Sequence, residues 1–363
     1  MNLLFAVLVA TATLVAAADD VVEEAWGNGQ PKLRREVRRD ADGQPLPHGK
    51  ETRWYPDGNV HSETRYYNGV RHGRWAVWHH GGPVRAEGTY DRGRKQGTET
   101  HYFAGGGKSF EIEYRDGLRY GVRREWHNAQ QLALEAHYAL DRLHGQLARW
   151  HPNGTQSLLE HYHEGTRHGA AKRWYNNGEP HNEAHYENGL RHGRFVEWFP
   201  GNRMKSEVHY EQGQRHGSAR YWYEDGQLQS EGHFEHGAAD GAWTEWQEGP
   251  EHFKHVESTY RDGKLHGVQV FYHPDGQKRI EVHFDRGRRN GSWSEWHPNG
   301  QLKAQGEYVD DLQEGPVRFF YEDGKPWSVQ AWRAGKRHGT WMEWDPEGQV
   351  ILEERYVNDQ LID

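Results

Sequence analysis

Residues 169–189 read GAAKRWYNNGEPHNEAHYENG, and this phrase decides the fold. Gly169 opens it, an aromatic follows at +5 (Trp174) and a turn glycine at +9 (Gly178). A glutamate stands at +14 (Glu183), an aromatic at +17 (Tyr186) and a loop glycine at +20 (Gly189); the phrase then restarts at Gly193. Outward in both directions, the opening glycines are Gly49, Gly73, Gly97, Gly121, Gly145, Gly169, Gly193, Gly217, Gly241, Gly267, Gly291, Gly315 and Gly339. Every step is 24 residues except Gly241 to Gly267, which is 26. A period this strict identifies an array of thirteen repeats, each buried against its neighbours.

Position +5 is aromatic in every repeat, from Trp54 to Trp344, and so is +17, from Tyr66 to Tyr356. Between them stand turn tetrapeptides such as Tyr55-Pro56-Asp57-Gly58, His151-Pro152-Asn153-Gly154 and His273-Pro274-Asp275-Gly276. Proline early, Asp or Asn next and Gly last predicts a type I turn closing through a left-handed glycine. Each repeat is therefore a β-hairpin, and Asn188-Gly189 or Asp262-Gly263 leads into the next one. Second strands alternate, as in Leu132, Leu134, Ala136 and Tyr138 against Glu135 and His137, so one face is apolar and the other polar. First strands show no clean alternation. The expectation is an all-β, elongated antiparallel sheet of tandem hairpins, with residues 19–48 as a degenerate capping repeat and 49–363 as the array.

Hydrophobic residues make up only 34% and mean hydropathy is −1.14, but aromatics reach 13% at fixed phases, which argues for a thin ordered sheet over disorder. Lysine and arginine are scattered under a net charge of −9, so neither a nucleic-acid footprint nor a lipid-binding patch is expected. Protonating all 27 histidines would reverse the sign of that charge. The absence of cysteine excludes disulfides, thiolate metal sites, cysteine nucleophiles and a lipidated-cysteine anchor. Residues 1–18 carry no charged side chain and end Ala16-Ala17-Ala18 before Asp19, the form of a cleavable signal peptide. The expected location is thus periplasmic, envelope or secreted; without cleavage it is cytoplasmic.

The recurring phrase Gly-x4-Trp-x3-Gly-x4-Glu-x2-Tyr-x2-Gly resembles the MORN repeat family, and specifically its bacterial variant with 24-residue units. The resemblance implies consecutive antiparallel hairpins. Bacterial members are often labelled antitoxin components of toxin–antitoxin systems, while eukaryotic relatives serve as scaffolds, membrane-junction modules and dimerising adaptors. The leader departs from a cytoplasmic antitoxin.

Candidate sites divide between core and contact. Invariance assigns the +5 and +17 aromatics to the core. The variable tryptophans at +2 (Trp75, Trp243, Trp293, Trp341) are candidates for an exposed contact. Histidines at +16 (His137, His161, His185, His209, His233), beside glutamates at +14, suggest a metal ladder. Equivalent positions lie two strands or roughly 10 Å apart, too far to share one zinc, so a polar contact face is the better reading. The His-Gly junctions read as loops, and the insertion around Pro250–His255 is a candidate irregularity. No phosphate loop, dinucleotide fingerprint or nucleophile elbow is present. The expected function is a non-enzymatic scaffold binding a protein partner along an extended β surface, without cofactor or metal. Sequestration of a toxin, binding of cell-wall glycan, and self-association are the alternatives.

Overall fold

A computed structural model of the chain describes residues 20–362; the leader, residues 1–18, lies outside them. None of the described residues is helical. The chain divides into two compact bodies, one reaching Gln156 and including His161–Gly165, the other formed by Ser157–Glu160 and the residues from Thr166 onward. Both are antiparallel sheets in which each strand pairs with the one that follows it. In the first body Val70–Trp78 pairs with Val84–Asp91, and that strand with Arg94–Tyr102. In the second, Gln214–Trp222 pairs with Leu228–Glu235. The lead-in folds as strands Asp20–Ala25 and Pro31–Arg39, followed by Pro45–Trp54, which carries the first opening glycine.

Two kinds of turn make the strands neighbours. The tetrapeptide turns close as expected: Gly58 has φ +87° and donates its N–H to the Tyr55 carbonyl at 3.0 Å. The other connection is a two-residue loop with both residues left-handed, as at Asn188 (φ 49°) and Gly189 (φ 85°). This type I′ geometry matches the strand twist and makes a tight hairpin. Each such loop is tied to the one before it, because the +20 N–H donates to the −2 carbonyl (Gly189 to Arg167, 2.8 Å; Gly93 to Arg71, 2.7 Å). The −3 side chain lies over the loop glycine, so Leu190 and Leu312, though about half exposed, cover Gly213 and Gly335.

The opening glycines are not loop residues. Strand Val70–Trp78 runs straight through His72-Gly73, and Gly73 has φ +89°. Opposite it the register skips between Thr64 and Tyr66, so the glycine makes a β-bulge. A bulge and a loop demand the same left-handed glycine, which is why sequence spacing alone confused them. The expected bond from imidazole to backbone is present: Asn68 donates its N–H to His48 Nδ1 at 3.3 Å.

Register assigns the faces that the first-strand sequence left open. Gly49 pairs with Tyr66, Glu51 with Thr64 and Arg53 with Ser62, so −2, 0, +2 and +4 share a face with +13, +15 and +17. We call this the even face; +1, +3, +14 and +16 form the odd face. The aromatic ladders prove to flank the core. All +5 rings and most +17 rings are half-buried, with Phe234 and Tyr356 the fully buried exceptions. Full burial falls mostly on small residues at the strand midline, such as Ala76, Ala86, Ala136, Val196, Val208, Ala219, Ala304 and Val317. A single sheet shelters a midline methyl from both sides but cannot enclose a ring standing on its surface.

Candidate functional site: the two sheet faces

The odd face is a ladder of ion pairs. The +14 glutamate meets a basic residue at +1 or +3: Arg124 Nε–Glu135 at 2.8 Å, Lys172 Nζ–Glu183 at 2.8 Å, Arg194 Nε–Glu207 at 2.7 Å. The +5 hydroxyls join where tyrosine replaces tryptophan, as in Tyr102 donating to Glu87 at 2.8 Å. Tyr102 and Arg74 hold the Glu87 carboxyl below its ordinary range. Burial and the Glu257 carboxylate push the Tyr272 hydroxyl up to about 12. These carboxylates are occupied as structural partners.

The +16 histidines clasp the bulges. Nδ1 of His137 lies 3.0 Å from the Gln146 carbonyl, and that of His209 lies 3.2 Å from Ser218 O. Their Cβ atoms sit over Gly145 and Gly217, where an added methyl would come within 3.5 and 3.3 Å. His185 is exposed, His161 is half-buried, and His233 lies 3.6 Å from Glu235. Among the described residues, no group of three or more histidines and carboxylates is arranged to hold a metal ion.

On the even face the +2 tryptophans are half-buried rather than free-standing. Trp75 and Trp293 lie over the +15 glycines Gly88 and Gly306, and Trp243 lies over Gly232 of the preceding repeat. An added Cβ there would fall 2.8, 2.9 and 1.8 Å from the respective indoles. Trp341 donates its indole N–H to Ala331 O at 3.1 Å and stands 5.2 Å from the Tyr356 ring.

Three features escaped the sequence reading. Arginine or lysine at −2 stacks over the +17 ring of its own repeat, as Arg119 on Tyr138 (4.6 Å), Arg215 on Phe234 (4.0 Å) and Arg289 on Tyr308 (4.1 Å). Tyrosine or histidine at +6 reaches the next +5 carbonyl, as Tyr223 to Trp246 (2.8 Å) and His127 to Trp150 (2.9 Å). Buried glutamates also occur: Glu51 accepts from Arg35 and Arg53 at 2.5 and 2.8 Å. The first two show in sequence as interrupted columns, mostly basic at −2 and mostly tyrosine or histidine at +6; the third breaks its column. The two extra residues after Gly241 lengthen one hairpin turn, closed by Gln247 N–H to Phe253 O at 3.0 Å. His252 Nε2 from that turn lies 2.8 Å from Leu228 O.

Seven segments match the family model of the MORN repeat variant. They are residues 47–68, 167–188, 215–236, 265–286, 289–310, 313–330 and 337–358. Each full-length MORN-variant segment starts at the strand carrying the −2 residue and ends just past the +17 ring. No curated protein matches the chain. Among solved structures, one described as TcdB2-TccC3-Cdc42 aligns with 94% of this chain and 28% of its own, at 10% identity and a TM-score of 0.17. TcdB2-TccC3 aligns with 92% and 21%, at 11% identity and 0.16. The chain thus spans about a quarter of the length of those chains.

Proposed function

We propose that this protein is a non-enzymatic scaffold that recognises another polypeptide along the even face of its hairpin array. The observation that carries this reading is the division of labour between the faces. Carboxylates of the odd face are paired within the sheet, whereas the even face presents half-buried rings, stacked arginines and glutamates over many repeats. A surface of this kind binds through many modest contacts on a preorganised framework. Photo-reactive amino acids placed at Glu245 on the even face and Arg220 on the odd face test it in cells. Cross-links to a discrete polypeptide from Glu245 alone support the reading; equal or absent labelling from both overturns it.

The leader favours export as part of this proposal, with the scaffold acting outside the cytoplasm. Fractionation with N-terminal sequencing should find a mature chain beginning near Asp19. An intact Met1 chain in the cytosol would instead favour the second reading, the toxin-sequestering role that the 24-residue resemblance suggests. Glycan binding through the +2 tryptophans is the weaker alternative, because these rings already lie against glycines and neighbouring aromatics.

A further inference from the structure

Within the second body the even face has a period of two repeats. Residues 191–198, 289–296 and 337–344 read RHGRFVEW, RNGSWSEW and RHGTWMEW. Each puts arginine at −2, a large ring at +2 and glutamate at +4 on one face. Residues 239–246, ADGAWTEW, keep the ring and the glutamate but replace arginine with Ala239. Intervening repeats reverse the pattern, with Ala219, Gln269 or Val317 at +2 and Tyr221, Phe271 or Phe319 at +4. At one step of the alternation the packing is diagonal: Tyr221 meets Trp243 at 6.4 Å between ring centroids. Glutamates recur every fourth strand, roughly 19 Å apart.

The structure confirms the shared face. Arg191 lies over Phe195 at 4.2 Å, and Arg337 over Trp341 at 5.6 Å. Arg289 and Arg337 remain about two-fifths exposed beside Asp311 and Asp359 of the neighbouring loops. Glu343 has no partner among the described residues; Glu197 accepts only from Ser206 at 3.2 Å, and Glu295 faces Lys303 at 2.6 Å. A basic rail at −2 thus runs parallel to an acidic rail at +4, with aromatic rings between them.

Such a face is its own complement. We propose that the even face of the second body docks against the same face of a second copy, repeats running in the same order and strands antiparallel. This two-fold arrangement sets Arg191 against Glu197, Arg289 against Glu295 and Arg337 against Glu343 of the other copy, each contact occurring twice. The reverse order sets arginine on arginine and glutamate on glutamate, so charge selects one orientation. Rings at +2 then meet the +17 rows across the interface. The proposal rests on the scaffold reading and names its partner as this chain itself.

Sedimentation equilibrium of the full chain at low and high salt tests it, with far-UV circular dichroism as the check on folding. The native chain should be dimeric and dissociate more readily in high salt. An acidic-rail variant, E197R/E295R/E343R, should weaken association by at least about 100-fold. A basic-rail variant, R191E/R289E/R337E, should do the same, and an equimolar mixture of the two should restore a mixed dimer. Arg220→Glu, on the odd face, should leave the dimer unchanged. If the basic-rail variant loses its sheet signal, E197Q/E295Q/E343Q replaces it: weakened association supports the rails, native association removes them. A native chain that stays monomeric, or folded charge variants that remain apart on mixing, overturns the proposal. Cross-linking of a different polypeptide to Glu245 in cells would then leave the scaffold reading standing without the second copy.

Discussion

The two bodies solve the same midline with different chemistry. In the first, +2 is occupied by Glu51, Trp75, Glu99, Arg123 and Leu147; in the second, by Ala171, Phe195, Ala219, Trp243, Gln269, Trp293, Val317 and Trp341. Charge thus fills three of five positions in one body and none of eight in the other. The buried glutamates survive because each is held by two partners: Glu51 by Arg35 and Arg53, Glu99 by Lys95 and the His101 imidazole, and, at +15 in the second body, Glu160 by Arg167 and Arg173. One hairpin geometry therefore accepts either an apolar or an ionic midline, provided every buried charge is paired. Six of the seven segments that match the MORN-variant model fall wholly in the second body, so the ionic midline accompanies fewer matches to that model.

The largest effect should come from the apolar side of this comparison. Phe234 is 5% exposed, packs with Val208, Ala219 and Trp243, and carries Arg215 over its ring. Phe234→Ala should cost about 3–4 kcal/mol, near the low end for a buried ring, because a single layer leaves room to relax. The corresponding Tyr114→Ala in the first body removes a half-buried ring and should cost about half as much. Urea titration gives the totals, and hydrogen exchange should confine each loss to neighbouring hairpins. Equal losses in both bodies would erase the distinction drawn between them.

Much of this was legible in the spacing. The columns at +5, +9, +17 and +20 dictate two turns per repeat, and the tetrapeptides at Tyr55–Gly58 and His273–Gly276 form the turns they predict. The role of Gly73 was not legible, because a strand bulge and a loop ask for the same backbone. Nor was the shelter of Trp54 or Tyr66, since invariance reports a fixed environment without saying how deep it lies. The even-face alternation at Phe195, Trp243, Trp293 and Trp341 stood in the sequence, but only the pairing of +2 with +15 shows which residues share a side.

The ionic side of the comparison should respond to acid. Burial pulls the Glu99 carboxyl upward, yet His101 and Lys95 together hold it below its ordinary value. A depressed folded value means that its stabilisation is present above the unfolded value and is lost as pH falls through the folded one. Stability of the hairpins around Glu99 should therefore decline below about pH 4.5, and Glu99→Gln should flatten that decline. At neutral pH, Glu99→Ala should cost about 2–3 kcal/mol, less than for a fully enclosed pair because Lys95 and His101 keep contact with water. Hydrogen exchange at pH 7 and pH 4 reads both effects. An acid response in the second body alone would contradict the assignment.

The smallest effect separates two glycines that look alike in sequence. Gly88 and Gly232 both stand at +15, and each lies beneath a +2 tryptophan. At Gly88 an added Cβ would come within 2.8 Å of the Trp75 indole nitrogen, at the edge of a half-buried ring that can tilt away. At Gly232 the Cβ would fall 1.8 Å from the six-membered ring of Trp243, which is wedged between Phe234 and Tyr221. Gly232→Ala must displace the indole and should cost about 2 kcal/mol, whereas Gly88→Ala should cost about 1 kcal/mol or less. Thermal melts rank the two, and a shift in Trp243 emission identifies the displaced ring. The reverse ranking would mean that the second body is the looser of the two, and that its aromatic alternation does not interlock.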